Sequence, residues 1–363
     1  MSKFTRILTA AAVVAIATGL LPSAGNTQAA KKFRLGWPSP LSVSMAHISF
    51  GTELGFFKQQ GLEIEVNSST QGSFLVMQQL LAGNLDGIYV ALESPIIGEL
   101  MHKTKFALKF PYNYIRRSLW EIVVLDESPI RTLEDLRGKT IGVGGVSWGN
   151  LPVTKALLAS SGIKSDDFSF LGVGVGGPAF RALTTKQVDA LNLYETMHAT
   201  LEANGVKLRR VPLPAEYTDH SSQGFAFRED QITNGADLVI RFGRAMAEST
   251  VACNANVEGC VKSFWKENPT LKPIEGSEEA KLRRDSYVVR MRMDRLLWFR
   301  DGEPQQIGRF SDEDFRLVIQ ELQRGEVIPK TDLAPNRFYT NEFIEKINDF
   351  DKSAVIAIAK AYK

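Results

Sequence analysis

The sequence predicts an α/β protein of two lobes, each a mostly parallel sheet flanked by helices, ending in a helical C-terminal tail. Three observations lead there. Across residues 33–211 short apolar strands alternate with helical stretches, the pattern of parallel strands covered by helices. From Gln231 the pattern turns helical almost to the end. Once an N-terminal leader is set aside, roughly 330 residues remain, more than one comfortable core holds.

The leader is read from its layout. Lys3 and Arg6 precede an apolar run from Ile7 to Leu21, and Pro22, Ser23 and small residues lead to Ala30. A charged start, an apolar middle and a small-residue exit describe a secretory signal peptide over residues 1–30. The run is too short for an anchor, which needs about 20 apolar residues. Cleavage is expected after Ala29 or Ala30, and no cysteine near the exit invites a lipid anchor. The expected mature protein is exported, soluble and periplasmic.

The leader holds two of the 43 basic residues and none of the 41 acidic ones, so the mature chain is balanced. That argues against nucleic acid or an acidic membrane surface as partner, since both favour a basic excess. Export also permits a disulfide between the two cysteines of the chain, Cys253 and Cys260. In one unbroken helix their Cα atoms would stand about 10 Å apart, beyond the ~7 Å reach of a bridge. A bridge requires a turn around Asn254-Ala-Asn-Val257; without it the pair is two half-buried thiols.

In chain order, strands are expected over 33–36, 62–67, 87–91, 106–110, 121–125, 140–143, 168–173, 189–193 and 207–210, with helices over 43–57, 73–82, 152–160, 179–184 and 196–203. Thr132 and Asp135 read as a variant capping box. In the tail, Ser311-Asp-Glu-Asp314 caps one helix and Thr340-Asn-Glu-Phe343 opens the last. No internal repeat or low-complexity segment is visible.

In open α/β sheets a ligand lies where strand ends, βα loops and helix starts converge. Gly36-Trp37-Pro38-Ser39-Pro40 follows the first strand, and its two prolines stiffen a loop that presents Trp37 and Ser39; the alternative is a tryptophan that only covers the sheet end. Ser68-Ser-Thr-Gln-Gly-Ser73 opens a helix whose unpaired N–H groups favour an acceptor atom, with Ser69, Thr70 and Gln71 adding side chains, or serving simply as caps. Gly144-Gly-Val-Ser147-Trp148 offers close backbone approach, a hydroxyl and an indole. Tyr194 and Glu195 follow the strand at 189–193, and Glu93 with Ser94 occupy the matching edge after 87–91; a first-turn acid favoured by the helix dipole is the bland reading of Glu195.

Gly172-Val-Gly174-Val-Gly176-Gly177-Pro178 contains a literal dinucleotide fingerprint. The leader and the strand–helix array before it weigh towards a tight turn with proline at the helix start, where Gly176 can donate its N–H to a ligand. Catalytic sets are thin. His47, His102, His198 and His220 share no metal-ligand spacing, so neither metal nor catalytic residue is assigned. Arg283, Arg284, Arg290, Arg292, Arg295 and Arg300, interleaved with Asp285, Asp294 and Asp301, read as a solvated helix face.

Three blocks together resemble a known family: Gly55-Phe-Phe-Lys-Gln-Gln-Gly-Leu-Glu-Ile-Glu65, Leu133-Glu-Asp-Leu-Arg-Gly-Lys-Thr-Ile-Gly-Val143, and Gly144-Gly-Val-Ser-Trp-Gly-Asn-Leu-Pro152. They resemble the periplasmic solute-binding proteins of ABC importers, in the branch that binds sulfonates, nitrate, taurine and thiamine-pyrimidine precursors. The resemblance implies the type II periplasmic-binding-protein fold, with lobe one over 31–125 plus 223–363 and lobe two over 126–222. It implies that Trp120–Leu125 and Gln223–Arg228 carry the chain across and back, and that the Ser147–Trp148 loop and the Tyr194–Glu195 edge face the ligand. It further implies a small-molecule ligand, an inner-membrane ABC permease as partner, a monomer, no cofactor and no enzymatic activity. The helix starts give a weak preference for an organic anion such as a sulfonate or carboxylate; Trp37, Trp148, Tyr194 and Glu195 equally suit an amine-bearing heteroaromatic. Arg116 or Arg117 would favour an anion if either faced the cleft. Another class on this fold, a pyrimidine synthase consuming pyridoxal phosphate, carries a cysteine-rich stretch absent here. A periplasmic sensor is the third reading.

Overall fold

The computed structural model describes residues 30–69, 72–101, 103, 105–145, 148 and 150–363. The leader, Thr70, Gln71 and Ser147 therefore lie outside the described residues. Among the described residues no helix is long and apolar enough to cross a membrane.

Two five-stranded sheets organise the chain. Strands β1 (Lys31–Trp37), β2 (Leu62–Ser68), β3 (Gly87–Ala91) and β4 (Leu108–Ile115) alternate with helices α1 (Ala46–Glu53), α2 (Phe56–Gln59), α3 (Ser73–Leu81) and α4 (Glu93–Met101). The second sheet takes β5 (Trp120–Leu125), β6 (Thr140–Val143), β7 (Ser169–Gly172), β8 (Ala190–Tyr194) and β9 (Leu208–Arg210), with α5 (Asn150–Ser160), α6 (Gly177–Thr184), α7 (Glu195–Ala203) and α8 (Ala215–Thr218). Strand β10 (Gln223–Arg228) then returns to the first sheet. Its tail is helical: α9 (Glu229–Asn234), α10 (Ala236–Ala255), α11 (Val257–Glu267), α12 (Glu278–Leu296), α13 (Asp312–Arg324), α14 (Ile344–Ile347) and α15 (Lys352–Ala361).

The sheet orders are β2-β1-β3-β10-β4 and β7-β6-β8-β5-β9. Strand β10 is antiparallel to both β3 and β4, and β5 is antiparallel to both β8 and β9; the remaining pairings are parallel. In each sheet the one reversed strand is thus the one that arrives from the other sheet. A strand reached through a covering helix must come back parallel, whereas one arriving from outside is free of that rule. Both sheets share this plan although the sequence shows no repeat.

The structure moves one expected boundary. Strand β5, expected to end the first lobe, pairs with β8 and β9 in the second sheet, and Ile122 and Val124 join its core with Ile141, Leu158 and Ala190. The outward connection is therefore residues 116–119. It runs beside the return connection: Ser118 N donates to Thr218 O at 3.0 Å, and Ser222 N to Ile115 O at 3.0 Å.

Two elements differ locally from expectation. The helix expected over 43–57 is a 3-10 turn followed by α1 and α2, broken at Gly55, whose φ of 82° an L side chain resists. Strand β4 runs on to Ile115 through Pro111, beyond its expected end at Phe110; Pro111 falls in the register irregularity opposite Phe225–Phe227, a bulge-type position where proline is tolerated. In the tail Asn256 interrupts what would be one helix, its Oδ1 accepting from Gly259 N at 2.9 Å. That turn brings the Cα atoms of Cys253 and Cys260 to 5.2 Å, and the two form a disulfide. The tail closes on the first sheet, with Phe242 of α10 stacked on Phe33 of β1 at 4.5 Å between centroids.

Candidate ligand-binding site

A pocket of about 60 Å³, partly open to solvent, lies between the C-terminal strand ends of the two sheets. Its first wall belongs to the first sheet. Trp37 ends β1; its indole is buried, donates from Nε1 to Ser39 Oγ at 3.0 Å and stacks on Tyr89 of β3 at 4.1 Å and 24°. The stiff loop that follows contributes Pro38 and Ser39, the start of α3 contributes Gly72 and Ser73, and Gln223 stands at the start of β10. Tyr114 packs edge-on to Tyr89 and shares a 2.9 Å hydrogen bond with His47 Nε2.

The second sheet supplies the facing wall. Trp120 opens β5, Tyr194 closes β8 and Trp148 precedes α5; all three line the pocket. Trp148 lies nearly parallel to Tyr194, 16° apart with centroids at 6.4 Å, and Trp120 meets Tyr194 edge-on at 73°. The glycine pair seats the indole. A Cβ on Gly144 would fall 2.6 Å from the Trp148 ring, and one on Gly145 3.0 Å away.

The floor holds a charged pair drawn from both walls. Arg292 of α12 lines the pocket yet is 3% exposed, and Glu195, the first residue of α7, is 0% exposed. Arg292 Nε stands 2.7 Å from Glu195 Oε1, an ionic contact rather than a well-directed hydrogen bond, while Nη2 donates to Glu195 Oε2 at 3.3 Å and to Thr196 Oγ1 at 3.4 Å. Burial works against the guanidinium's charge, but Glu195 outweighs it and the group stays protonated. Burial likewise pushes the Glu195 carboxyl up, with Arg292 pulling it back. Burial, and then the charge of Arg292, hold His47 down at about 3, so it is neutral.

Of the residues singled out from sequence, Trp37, Ser39, Trp148 and Tyr194 line this pocket. Glu195 sits directly behind it as the partner of Arg292. Ser69 lies beside the first wall, its N–H donating to Trp37 O at 2.7 Å. Glu93 and Ser94 are buried away from the lining; Glu93 lies in the field of Glu321 and His220, and its carboxyl is raised to about 7, chiefly by burial. Gly176 precedes α6 with φ 64° and does not line the pocket. Thr70, Gln71 and Ser147 fall outside the described residues. Arg116 does not face the pocket: it is held by Trp298 O, Arg309 O and Glu303. Arg117 pairs with Asp219.

Sequence reading missed Tyr89, Trp120, Gln223 and, above all, Arg292, which it placed on a solvated face. The signal was its spacing. Arg292 stands four and three residues after Val288 and Val289 and four before Leu296, on the apolar stripe of α12 rather than its polar side.

A search of curated proteins finds no match to this sequence. Solved structures match in fold. The alkanesulfonate-binding protein SsuA from Xanthomonas axonopodis pv. citri, bound to MOPS, aligns with a TM-score of 0.60 at 15% identity over 85% of this chain and 98% of its own. The periplasmic nitrate-binding protein NrtA from Synechocystis PCC 6803 gives 0.59 at 14% identity, over 92% of this chain and 98% of its own. The desulfurization enzyme DszB gives 0.52 at 16% identity, over 87% and 98%. At such identities the likeness is one of fold, the two-lobed periplasmic-binding-protein architecture, and the fold carries binding proteins and an enzyme alike. Residues 43–258, more than half of the chain, match the NMT1/THI5-like family, and the protein belongs to it.

Proposed function

We propose that this protein is the solute-binding component of an ABC import system, capturing a small organic solute with a flat ring in the cleft between two lobes and handing it to a membrane permease. The supporting observation is the origin of the pocket walls. Trp37 and Tyr89 come from one sheet, Trp120, Trp148 and Tyr194 from the other, and the chain passes between the sheets at residues 116–119 and 219–222. A ring between these walls gains contact from both, so its binding favours their approach, which is how a ligand shifts a hinge equilibrium.

The lobes in this reading are 30–115 with 223–363, and 120–218. The binding proteins for alkanesulfonate and nitrate among the structural neighbours support capture as the role, and the leader read from sequence supports a periplasmic protein. Catalysis is the less supported class: the lining offers rings, hydroxyls, an amide and an arginine already paired with Glu195. Of the helix starts that suggested an anion, that of α3 reaches the pocket at Gly72 and Ser73, while those of α5 and α7 are represented there by the rings of Trp148 and Tyr194. Native mass spectrometry of the protein isolated gently from its periplasm tests the reading. A stoichiometric small solute that Trp148→Ala fails to retain is expected; a protein that carries and binds no solute in a broad screen would overturn it.

A further inference from the structure

Charge around the pocket floor comes in matched pairs. Behind Arg292 and Glu195, Arg295 Nη2 donates to Glu121 Oε1 at 2.9 Å, and Arg210 joins Glu121 at 3.1 Å and Glu202 at 2.7 Å. Three arginines thus answer three glutamates, and His198 Nδ1 also stands 3.1 Å from Glu121 Oε2. The remaining side chains on the pocket side are uncharged: rings, the hydroxyls of Ser39, Ser44 and Ser73 and the amide of Gln223, with burial raising the phenols of Tyr89 and Tyr194 and His47 neutral.

A guanidinium cannot shed its proton inside a protein, so a buried one must be given a counter-ion. Here the protein provides it, from the opposite wall. An anionic ligand would bring a second negative charge beside buried Glu195, and a cationic one a second positive charge beside buried Arg292. Either leaves an uncompensated charge next to a pair that is itself out of water, which is unfavourable. An uncharged acceptor avoids this. Arg292 meets Glu195 along its Nε–Nη2 edge and also reaches Thr196 and the phenols of Tyr89 and Tyr114, so a ligand oxygen or ring nitrogen shares its five donors with these neutral groups without releasing the carboxylate.

Resting on the solute-binding reading above, we propose that the Glu195–Arg292 pair sets the charge class of the solute: the site takes uncharged, ring-bearing molecules whose acceptor atom meets Arg292, and Glu195 excludes anions by occupying their place. Glu195 is then a specificity-determining residue that does not line the pocket. Removing its charge should turn the same pocket into an anion site.

The test compares two rings of similar size, uncharged benzamide and anionic benzenesulfonate, by thermal shift at fixed ionic strength on the mature protein. Glu195→Gln should move the preference at least tenfold towards benzenesulfonate relative to wild type. The double variant Arg292→Gln with Glu195→Gln, which restores electrical balance, should lose that gain. A wild type that prefers benzenesulfonate, or a Glu195→Gln protein that gains no response to it, would overturn the proposal. If the single variant does not fold, the solute released from wild type decides, because one with net charge at neutral pH overturns it equally. The two readings fail separately. An empty wild type whose Glu195→Gln form gains the anion would sink solute capture and leave the role of the pair standing.

Discussion

Gly144 lies so close beneath Trp148 that a Cβ on it would stand 2.6 Å from the indole, making the glycine the seat of one pocket wall. Gly144→Ala must therefore displace the ring, because the neighbouring atoms belong to an aromatic plane that cannot bend aside. Solute affinity should fall in this variant and in Trp148→Ala by about 1–2 kcal/mol, the order expected for a buried aromatic anchor. Titration calorimetry with the released solute measures it, with circular dichroism confirming the fold. A folded Trp148→Ala protein with unchanged affinity would remove this loop from the site.

The Glu195–Arg292 pair also affects stability, and a double-mutant cycle isolates the effect. Breaking a buried pair from one side leaves a bare charge and costs about 3–5 kcal/mol, whereas replacing both partners with apolar groups is far cheaper. Urea unfolding should show Arg292→Met and Glu195→Met each strongly destabilising, and the double variant well short of their sum. Simple additivity would mean that the two charges are screened from each other, contrary to their burial at 3% and 0%.

How much of this site could be read from sequence depends on how local each signal was. Trp37, Ser39, Trp148 and Tyr194 stand at strand ends or helix starts, and the alternation of strands and helices is enough to place them near a cleft. Arg292 has no such local mark. Its partner is 97 residues away at the start of α7, and α12 is polar enough overall that an arginine there passes for a solvated one. Trp120 was seen as part of a crossing strand but not as a wall, because its exposure depends on which sheet β5 joins. Glu93 was the opposite case: it shares the strand-edge position of Glu195, yet the field it meets is that of Glu321 and His220. The disulfide remained open until the break at Asn256 was known, since helix geometry alone forbids it.

That disulfide closes a short loop at the joint of α10 and α11. The chain-entropy model assigns such a loop about 2–3 kcal/mol, through restriction of the unfolded chain. Both cysteines are fully buried beside Val257 and Val261, so serine at either position also buries a hydroxyl. Cys253→Ala with Cys260→Ala is the cleaner comparison, and should lower the unfolding free energy measured in urea by that amount without altering solute affinity. A large loss of affinity would show that the α10–α11 joint governs the pocket.

The return connection carries a titratable clamp. His220 Nε2 lies 2.9 Å from Glu321 Oε1, and its Nδ1 donates to Ser221 O at 2.8 Å. Burial lowers the imidazole's pKa, but Glu321 overcomes this and raises it to about 9, above the ordinary 6.5. A folded pKa above the unfolded one favours the protonated state. The stabilisation is complete below pH 6.5 and is lost as pH rises through 9. Glu93, held up to about 7 chiefly by burial, acts in the same direction over a lower window, losing its contribution between 4.5 and 7. Unfolding free energy should therefore fall from pH 6.5 to pH 9 by on the order of 2–3 kcal/mol. Glu321→Gln should flatten the slope by removing the partner that keeps His220 charged, and it should do so without changing solute selectivity, because neither residue lines the pocket. Urea titrations at pH 6.5, 7.5 and 9 decide the matter: a wild-type stability that stays level across this range would mean that His220 is buried neutral, and that Glu321 holds it by a hydrogen bond rather than by charge.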